Sequence, residues 1–428
     1  MADIAPFRGV RYAVECVGRL DDVVAPPYDV ITPEQRTALV ARSRLNIVEL
    51  DLPAGRDDRK YAHAGDLWRQ WRAEKVLRAD AVPALYLVEE RFTTPLGRPC
   101  LRKGFVAALT LDEPGKGTVR PHEKTFAGPK EDRLKLMRAT RANLSQVFAL
   151  YRDREHRLER AWAEVTQATP DVRVSAPDGT RRMWMVTEPD LIERARTVLS
   201  SSPLVIADGH HRYETAITYR NECRERGGPA GADSTMVYLS SMDDLDLTVL
   251  PTHRMVRLGS ALDMAGIRRR LEQHFELEPV LSERPEHWLA DALSEGSGEP
   301  YQFGLFSREW GWLFATLRSW EDVAGWIDPT RSDAWRRLDV AVLHEVVLRT
   351  IVEVPDTIDG RNPVAYTPDP GTGHAAVRRG AADLFLMLRP ATAAQIAAVA
   401  EAGDRMPQKS TYFFPKLLTG LVMRSLEA

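Results

Sequence analysis

A chain of 428 residues is too long for one hydrophobic core, and at about 150 residues per domain it predicts two or three. Its 44% apolar and 28% charged residues fit a soluble globular protein, and 58 Lys and Arg against 61 Asp and Glu leave a net charge of -3, without the basic excess of a sequence-independent nucleic-acid binder. Three widely spaced cysteines, Cys16, Cys100 and Cys223, argue against a disulfide framework or zinc module and fit a reducing cytosol. No run reaches signal-peptide length or the roughly 18 apolar residues of a membrane helix, so a cytoplasmic location without membrane or nucleic-acid partners is expected.

The turn-rich stretches DEPGKG, GGPAG and EGSGEP punctuate the chain. Four blocks are expected: 1–117 as an N-terminal α/β block, 118–256 as a core block, 257–330 as an α/β insert with a hairpin, and 331–428 as a mainly helical block. In the first, Ala25-Pro26-Pro27-Tyr28-Asp29-Val30 reads as a stiff extended turn. Asp29 is a turn residue or a carboxylate lining a cleft. Thr32, Pro33 and Gln35 then predict a capped helix of about ten residues. ALYLVEERF (84–92) and GFVAALTL (104–111) read as paired strands.

In the second block, 130–142 predicts a helix, 144–151 a strand, and Thr187-Glu188-Pro189-Asp190 caps a helix with Leu191, Ile192, Ala195 and Leu199 on one face. PLVIA (203–207) is a short buried strand that runs through a turn into a helix. Further strands are expected at 235–242 and 247–256. In the third block Ile267, Leu271 and Phe275 fall at helical spacing, followed by a hairpin of YQFGLF and WGWLFATL. VAVLHEVVLRTIV is the clearest apolar helix of the fourth. The expected class is α+β, mixed α/β.

The strongest chemical signal is Asp208-Gly209-His210-His211-Arg212. A strand that opens directly into a helix presents backbone N–H groups to an anion, and two imidazoles with a guanidinium beside them make the turn a candidate phosphate site. A capped helix with surface histidines is the alternative. Arg120-Pro121-His122-Glu123-Lys124-Thr125 offers a carboxylate among cations, and such a carboxylate can act as general base on a bound hydroxyl. A solvated charged loop is its alternative. Lys409, Ser410 and Thr411, in the run 406–416, are candidates to close over an anion, or form a loop anchored by Tyr412, Phe413 and Phe414.

Gly371-Thr372-Gly373-His374-Ala375-Ala376 matches G-x-G-x-x-A, but Pro368-Asp369-Pro370 stands where a dinucleotide fold needs a strand, and no P-loop motif is present. His210 and Glu214 share helical spacing as a metal pair lacking a third ligand.

PPYDVI (26–31), RPHEKT (120–125), NLSQVFALY (143–151), ADGHHRYETA (207–216), LPTHRMV (250–256), YTPD (366–369) and the run 406–422 together resemble the bacterial family called domain of unknown function 1015, in order along nearly the whole chain. The second block alone resembles the free serine kinases of the ParB/sulfiredoxin-like fold. That resemblance implies a ParB/sulfiredoxin-like nucleotide-binding core, with Glu123 as base and Asp208, Gly209, His210, His211 and Arg212 holding nucleotide phosphates. His210 stands where a sulfiredoxin has its cysteine, and neither the turn nor the charge is that of a ParB protein.

The function expected is a kinase for a small hydroxy or amino acid, foremost free L-serine, with ATP or ADP as donor and Mg²⁺ bridging the phosphates and Asp208. Arg120, His122, Lys124, Lys409 and Ser410 are its candidate substrate contacts. A nucleotide-binding switch or sensor, and a metal-dependent hydrolase using His210, His211 and Glu214, are the alternatives. The sequence does not determine an oligomeric state.

Overall fold

A computed structural model describes residues 2–112, 117–123, 125, 127–200, 203–259, 263–283, 285–295, 301–355, 357–358 and 361–427. The fold is α+β, and the chain forms two compact units. The first comprises Met1–Pro121, Thr125–Thr248 and Pro415–Ala428; the second comprises His122–Lys124 and Val249–Phe414.

The first unit is built on a nine-stranded sheet. Its order is Val119–Pro121, Leu204–Asp208, Val147–Tyr151, Ser234–Ser241, Pro99–Thr110, Leu85–Thr93, Gly179–Val186 and Val172–Ala176, with Ile4–Ala5 also on Pro99–Thr110. Strands from before and after the DEPGKG stretch therefore share one sheet. Val119–Pro121 runs parallel to Leu204–Asp208, and Val147–Tyr151 parallel to Ser234–Ser241, while the other neighbours are antiparallel.

Val147–Tyr151 is buried at all five positions, which suits an apolar run at the middle of a covered sheet. The expected pairing of 84–92 with 104–111 is realised as one long hairpin. Helices Arg157–Val165, Pro189–Ser200 and His210–Arg226 cover the sheet through Leu158, Trp162, Ile192, Ala195, Leu199, Tyr213 and Ala216, each large apolar side chain contributing about 1.5–3 kcal/mol.

A second core in this unit gathers Ile47, Leu50, Trp68, Trp71, Leu136 and Leu144. Beside it lies a four-stranded sheet of Leu77–Ala79, Gly9–Tyr12, Met423–Ser425 and Ala142–Asn143. The predicted capping box forms: Gln35 N donates to Thr32 Oγ1 at 3.2 Å and Thr32 N donates to Gln35 Oε1 at 2.9 Å, opening helix Pro33–Arg42.

The second unit has a six-stranded antiparallel sheet in the order Phe275–Pro279, Gly311–Leu317, Gln302–Ser307, Leu384–Met387, His253–Val256 and Val364–Thr367. The predicted hairpin is its 302–317 pair. Phe275 departs from expectation: the helix is Met264–His274, and Phe275 opens the next strand as a fully buried residue. The run 247–256 is two strands, Thr248–Leu250 and His253–Val256, separated at Pro251, which has no N–H for a ladder.

VAVLHEVVLRTIV starts as the α-helix Asp339–Val342 and continues in wider π-type turns over Leu343–Ile351. Strand Val364–Thr367 precedes the Gly-x-Gly run, contrary to the sequence reading, but it lies antiparallel to His253–Val256 and belongs to no parallel βαβ unit. A Cβ on Gly373 would strike the Phe385 ring at 2.0 Å, so this glycine serves helix-to-strand packing. Among the described residues, no helix is long and apolar enough to cross a membrane.

Candidate functional site

Within the first unit, strand Leu204–Asp208 ends at Gly209, which turns the chain into the 17-residue helix His210–Arg226. Gly209 adopts φ 86° and ψ 29°, a left-handed conformation open to glycine at little cost, and no side chain caps the helix. A methyl group there would stand 2.9–3.0 Å from the Arg212 guanidinium, so the close approach of backbone to Arg212 also requires glycine. A bulge in the ladder between Ile206 and Asp208 re-aims the strand end just before the turn.

Asp208 accepts two cations at one oxygen: Lys416 Nζ at 3.4 Å and Arg212 Nη2 at 3.4 Å. Burial alone would raise its pKa, but Lys416, then Arg212 and His210, hold the carboxyl well below the usual carboxylate range. Arg212 is anchored on its other side by donation to the Gln146 carbonyl. His210 is buried and His211 half-buried. Arg212, Lys416 and the His210 imidazole thus act on one carboxylate at the start of a helix, an arrangement that favours an oxyanion ligand.

Behind this turn lies a cluster absent from the sequence reading. Arg133 is 3.3 Å from the Asp51 carboxylate and stacks over the Tyr28 ring at 3.9 Å. Burial raises the Asp51 pKa against the pull of Arg133 and Arg212, and burial pushes the Tyr28 phenol up to about 12. Asp29, singled out beside Tyr28, is exposed. Lys416 lies in the run 406–416 that the sequence marked, but only its neighbours 409–411 were singled out. Asp51 and Arg133 carry no local signal, since each takes its meaning from a partner 82 positions away.

Glu214 does not pair with His210. Its Oε2 receives Thr125 Oγ1 at 2.6 Å and Lys130 Nζ at 3.0 Å. Among the described residues no group of three or more His, Cys, Asp or Glu side chains is arranged to hold a metal ion. Asp208 remains a single carboxylate, which suits a Mg²⁺ ion whose other ligands are phosphate oxygens and water.

The remaining sequence candidates divide between the units. Arg120 is a half-buried strand residue of the first, in register with Val205. Lys124 lies outside the described residues. His122, Glu123, Lys409 and Ser410 belong to the second unit. There His122 is fully buried, its Nε2 3.1 Å from Thr411 Oγ1 and its carbonyl accepting from Met406 N at 2.7 Å. These contacts tie it to the 406–413 run. Ser410 is buried and donates to the Pro407 carbonyl.

Lys409 takes a left-handed φ of 54°, and its carbonyl accepts from Arg254 Nη2 at 3.3 Å. Arg254 is fully buried, 3.3 Å from His344 Nε2. Burial lowers its pKa to about 10 against the opposing charges of Tyr366 and the half-buried Glu123.

A family model described as a protein of unknown function (DUF1015) matches residues 4–341. No curated protein matches the chain. Among solved structures, a conserved hypothetical protein from Pyrococcus furiosus is 13% identical, covering 69% of this chain and 86% of its own, with a TM-score of 0.31. A free serine kinase in complex with AMP is 12% identical over 69% of this chain and 83% of its own, with a TM-score of 0.33. The C-terminally truncated SbnI of Staphylococcus aureus is 10% identical over 73% and 85%, with a TM-score of 0.35.

Proposed function

From the premise that the chain belongs to the DUF1015 family of proteins of unknown function, we propose that it is a nucleotide-dependent phosphotransferase acting on the hydroxyl of a small metabolite, with free L-serine the foremost substrate. The observation that carries this reading is the turn Asp208–Arg212, where a left-handed glycine opens a helix and Arg212 and Lys416 both meet the Asp208 carboxylate. Phosphoryl transfer asks chiefly for positioning and charge neutralisation, which such a turn supplies.

In this reading the backbone of Gly209–Arg212, with His210, His211, Arg212 and Lys416, holds the phosphates of ATP or ADP. Mg²⁺ would be held by Asp208 with the phosphate oxygens and would neutralise their charge. Strand Val119–Pro121 runs parallel to Leu204–Asp208 with Pro121 opposite Ile206, so both strands leave the sheet in the same direction. Glu123, in the Pro-His-Glu run, is assigned as the base. The substrate hydroxyl oxygen forms the new P–O bond, the bond to the bridging oxygen of the nucleotide breaks, and the hydroxyl proton passes to the Glu123 carboxylate. The substrate carboxylate is assigned to a cation among Arg120, Lys124 and Lys409.

Phosphorus NMR of the purified protein with ATP or ADP, Mg²⁺ and a panel of free amino and hydroxy acids tests the reading. A new phosphomonoester is expected, and Glu123→Gln is expected to bind nucleotide but lose turnover. Nucleotide binding without any phosphorylated metabolite would replace the kinase by a nucleotide switch.

A further inference from the structure

Lys416 serves two places at once. Its ammonium meets Asp208 at the phosphate turn, and the same residue lines a cavity of about 370 Å³ within the first unit. The apolar walls are Val24, Pro26, Ile31, Leu39 and Leu418. Asp21, Gln35, Arg42, Ser175 and Asp178 add polar groups around these walls. Gln35 Oε1 is taken by Thr32 N, while the amide N–H groups of Gln35 have no partner among the described residues. A cavity of this size, with apolar walls and polar groups placed around them, is the form that binds a flat organic ring. It is far larger than a phosphate ion requires.

The walls next to Lys416 are set by buried charge. Glu90 and Arg102, 1% and 0% exposed, pair at 2.6 Å, and Arg102 Nη2 donates to the Pro415 carbonyl at 2.9 Å, fixing the backbone that carries Lys416. The same Glu90 is 3.4 Å from Arg181, which donates at 2.8 Å to Oδ2 of Asp178, another lining residue. One buried carboxylate therefore connects the backbone that carries Lys416 to Asp178. Exposed apolar surface alone would have no such scaffold.

We infer that this cavity receives the base and ribose of a nucleotide whose phosphates lie on the Asp208–Arg212 turn, with Lys416 at the junction. The inference rests on the phosphotransferase reading only in taking the ligand to be a nucleotide. Pro26, Ile31 and Leu39 cover the ring faces, Gln35 donates to a ring edge, and Lys416 meets the first phosphate.

Calorimetric titration of the full chain with ADP and, separately, inorganic tripolyphosphate tests this. Ala38 lines the cavity from the exposed face of helix Pro33–Arg42, so Ala38→Trp fills it without entering a core. The expected result is ADP binding weakened about tenfold or more, with tripolyphosphate binding changed by less than about twofold. Ala38→Glu, which places a carboxylate in the cavity, is expected to act in the same direction, and melting curves verify that both variants are folded.

ADP affinity unchanged in both variants overturns the inference, as does wild-type protein that binds tripolyphosphate as tightly as ADP, or binds no ADP. Failure of the kinase reading is separately visible: ADP binding lost in Ala38→Trp with no phosphomonoester from wild type keeps the cavity and removes the transfer. A phosphomonoester formed equally well by Ala38→Trp and wild type keeps the transfer and removes the cavity.

Discussion

Two fully buried guanidinium groups, Arg102 of the first unit and Arg254 of the second, are held in opposite ways. In the first, Arg102 meets Glu90, Arg133 meets Asp51 and Arg212 meets Asp208, each within 3.4 Å. In the second, Arg254 has no carboxylate within ion-pair distance among the described residues and is held by the Thr252 and Lys409 carbonyls and His344 Nε2. Paired charges keep their ionisation over a wide pH range and retain a field that a ligand can use. A guanidinium held by neutral acceptors is a weaker base, and it forces its imidazole neighbours to stay uncharged.

The contrast is broken or sharpened first at Glu90. Glu90→Gln leaves Arg102 buried without its carboxylate and Arg181 with Asp178 alone, and denaturant titration should show a loss of about 3–5 kcal/mol. A near-wild-type midpoint would mean that the pairing carries no stability. Arg254→Met removes a cation that leaves no carboxylate behind, only unpaired acceptors, so its expected cost is smaller, about 1–3 kcal/mol. A loss larger than that of Glu90→Gln would reverse the comparison.

Third comes acid. Burial, and then the Arg254 charge, lower His253 and His344 from 6.5 to about 3, with Asp369 opposing the shift at His253. Between those values the unfolded chain binds protons that the folded chain does not. Stability is therefore full above about pH 6.5 and falls on acidification by up to about 1.4 kcal/mol per pH unit for each imidazole. Unfolding followed from pH 7.5 to 4.5 should show this slope, and His253→Asn with His344→Gln should flatten it. The smallest effect is at the turn: Gly209→Ala meets both the left-handed φ and Arg212, costing about 1–2 kcal/mol. ADP titration should show it weakening binding beyond that loss, and wild-type affinity would detach the turn from the ligand.

The Asp-Gly-His-His-Arg turn was legible because its groups are contiguous, and strand followed directly by helix is a local pattern. The 302–317 hairpin and the Thr32 capping box were legible for the same reason. Lys416, Asp51 and Arg133 were not, because each acquires its partner from a distant part of the chain. The contacts of His122 with Thr411 and Phe413 were not legible either, because these partners lie almost three hundred positions further along the chain. Helical spacing misplaced Phe275 by one residue, the width of the turn from helix to strand.

Pro415–Ala428 belongs to the first unit, although Val249–Phe414 forms the bulk of the second. This stretch supplies Lys416, the Leu418 carbonyl that accepts from Gln146, and strand Met423–Ser425 between Gly9–Tyr12 and Ala142–Asn143. During synthesis the Asp208–Arg212 turn emerges about two hundred residues before Lys416, at some tens of seconds of translation. A chain stalled or clipped ahead of residue 415 carries Asp208 without this ammonium, so the order of the polypeptide itself withholds the pair until the chain has passed that point.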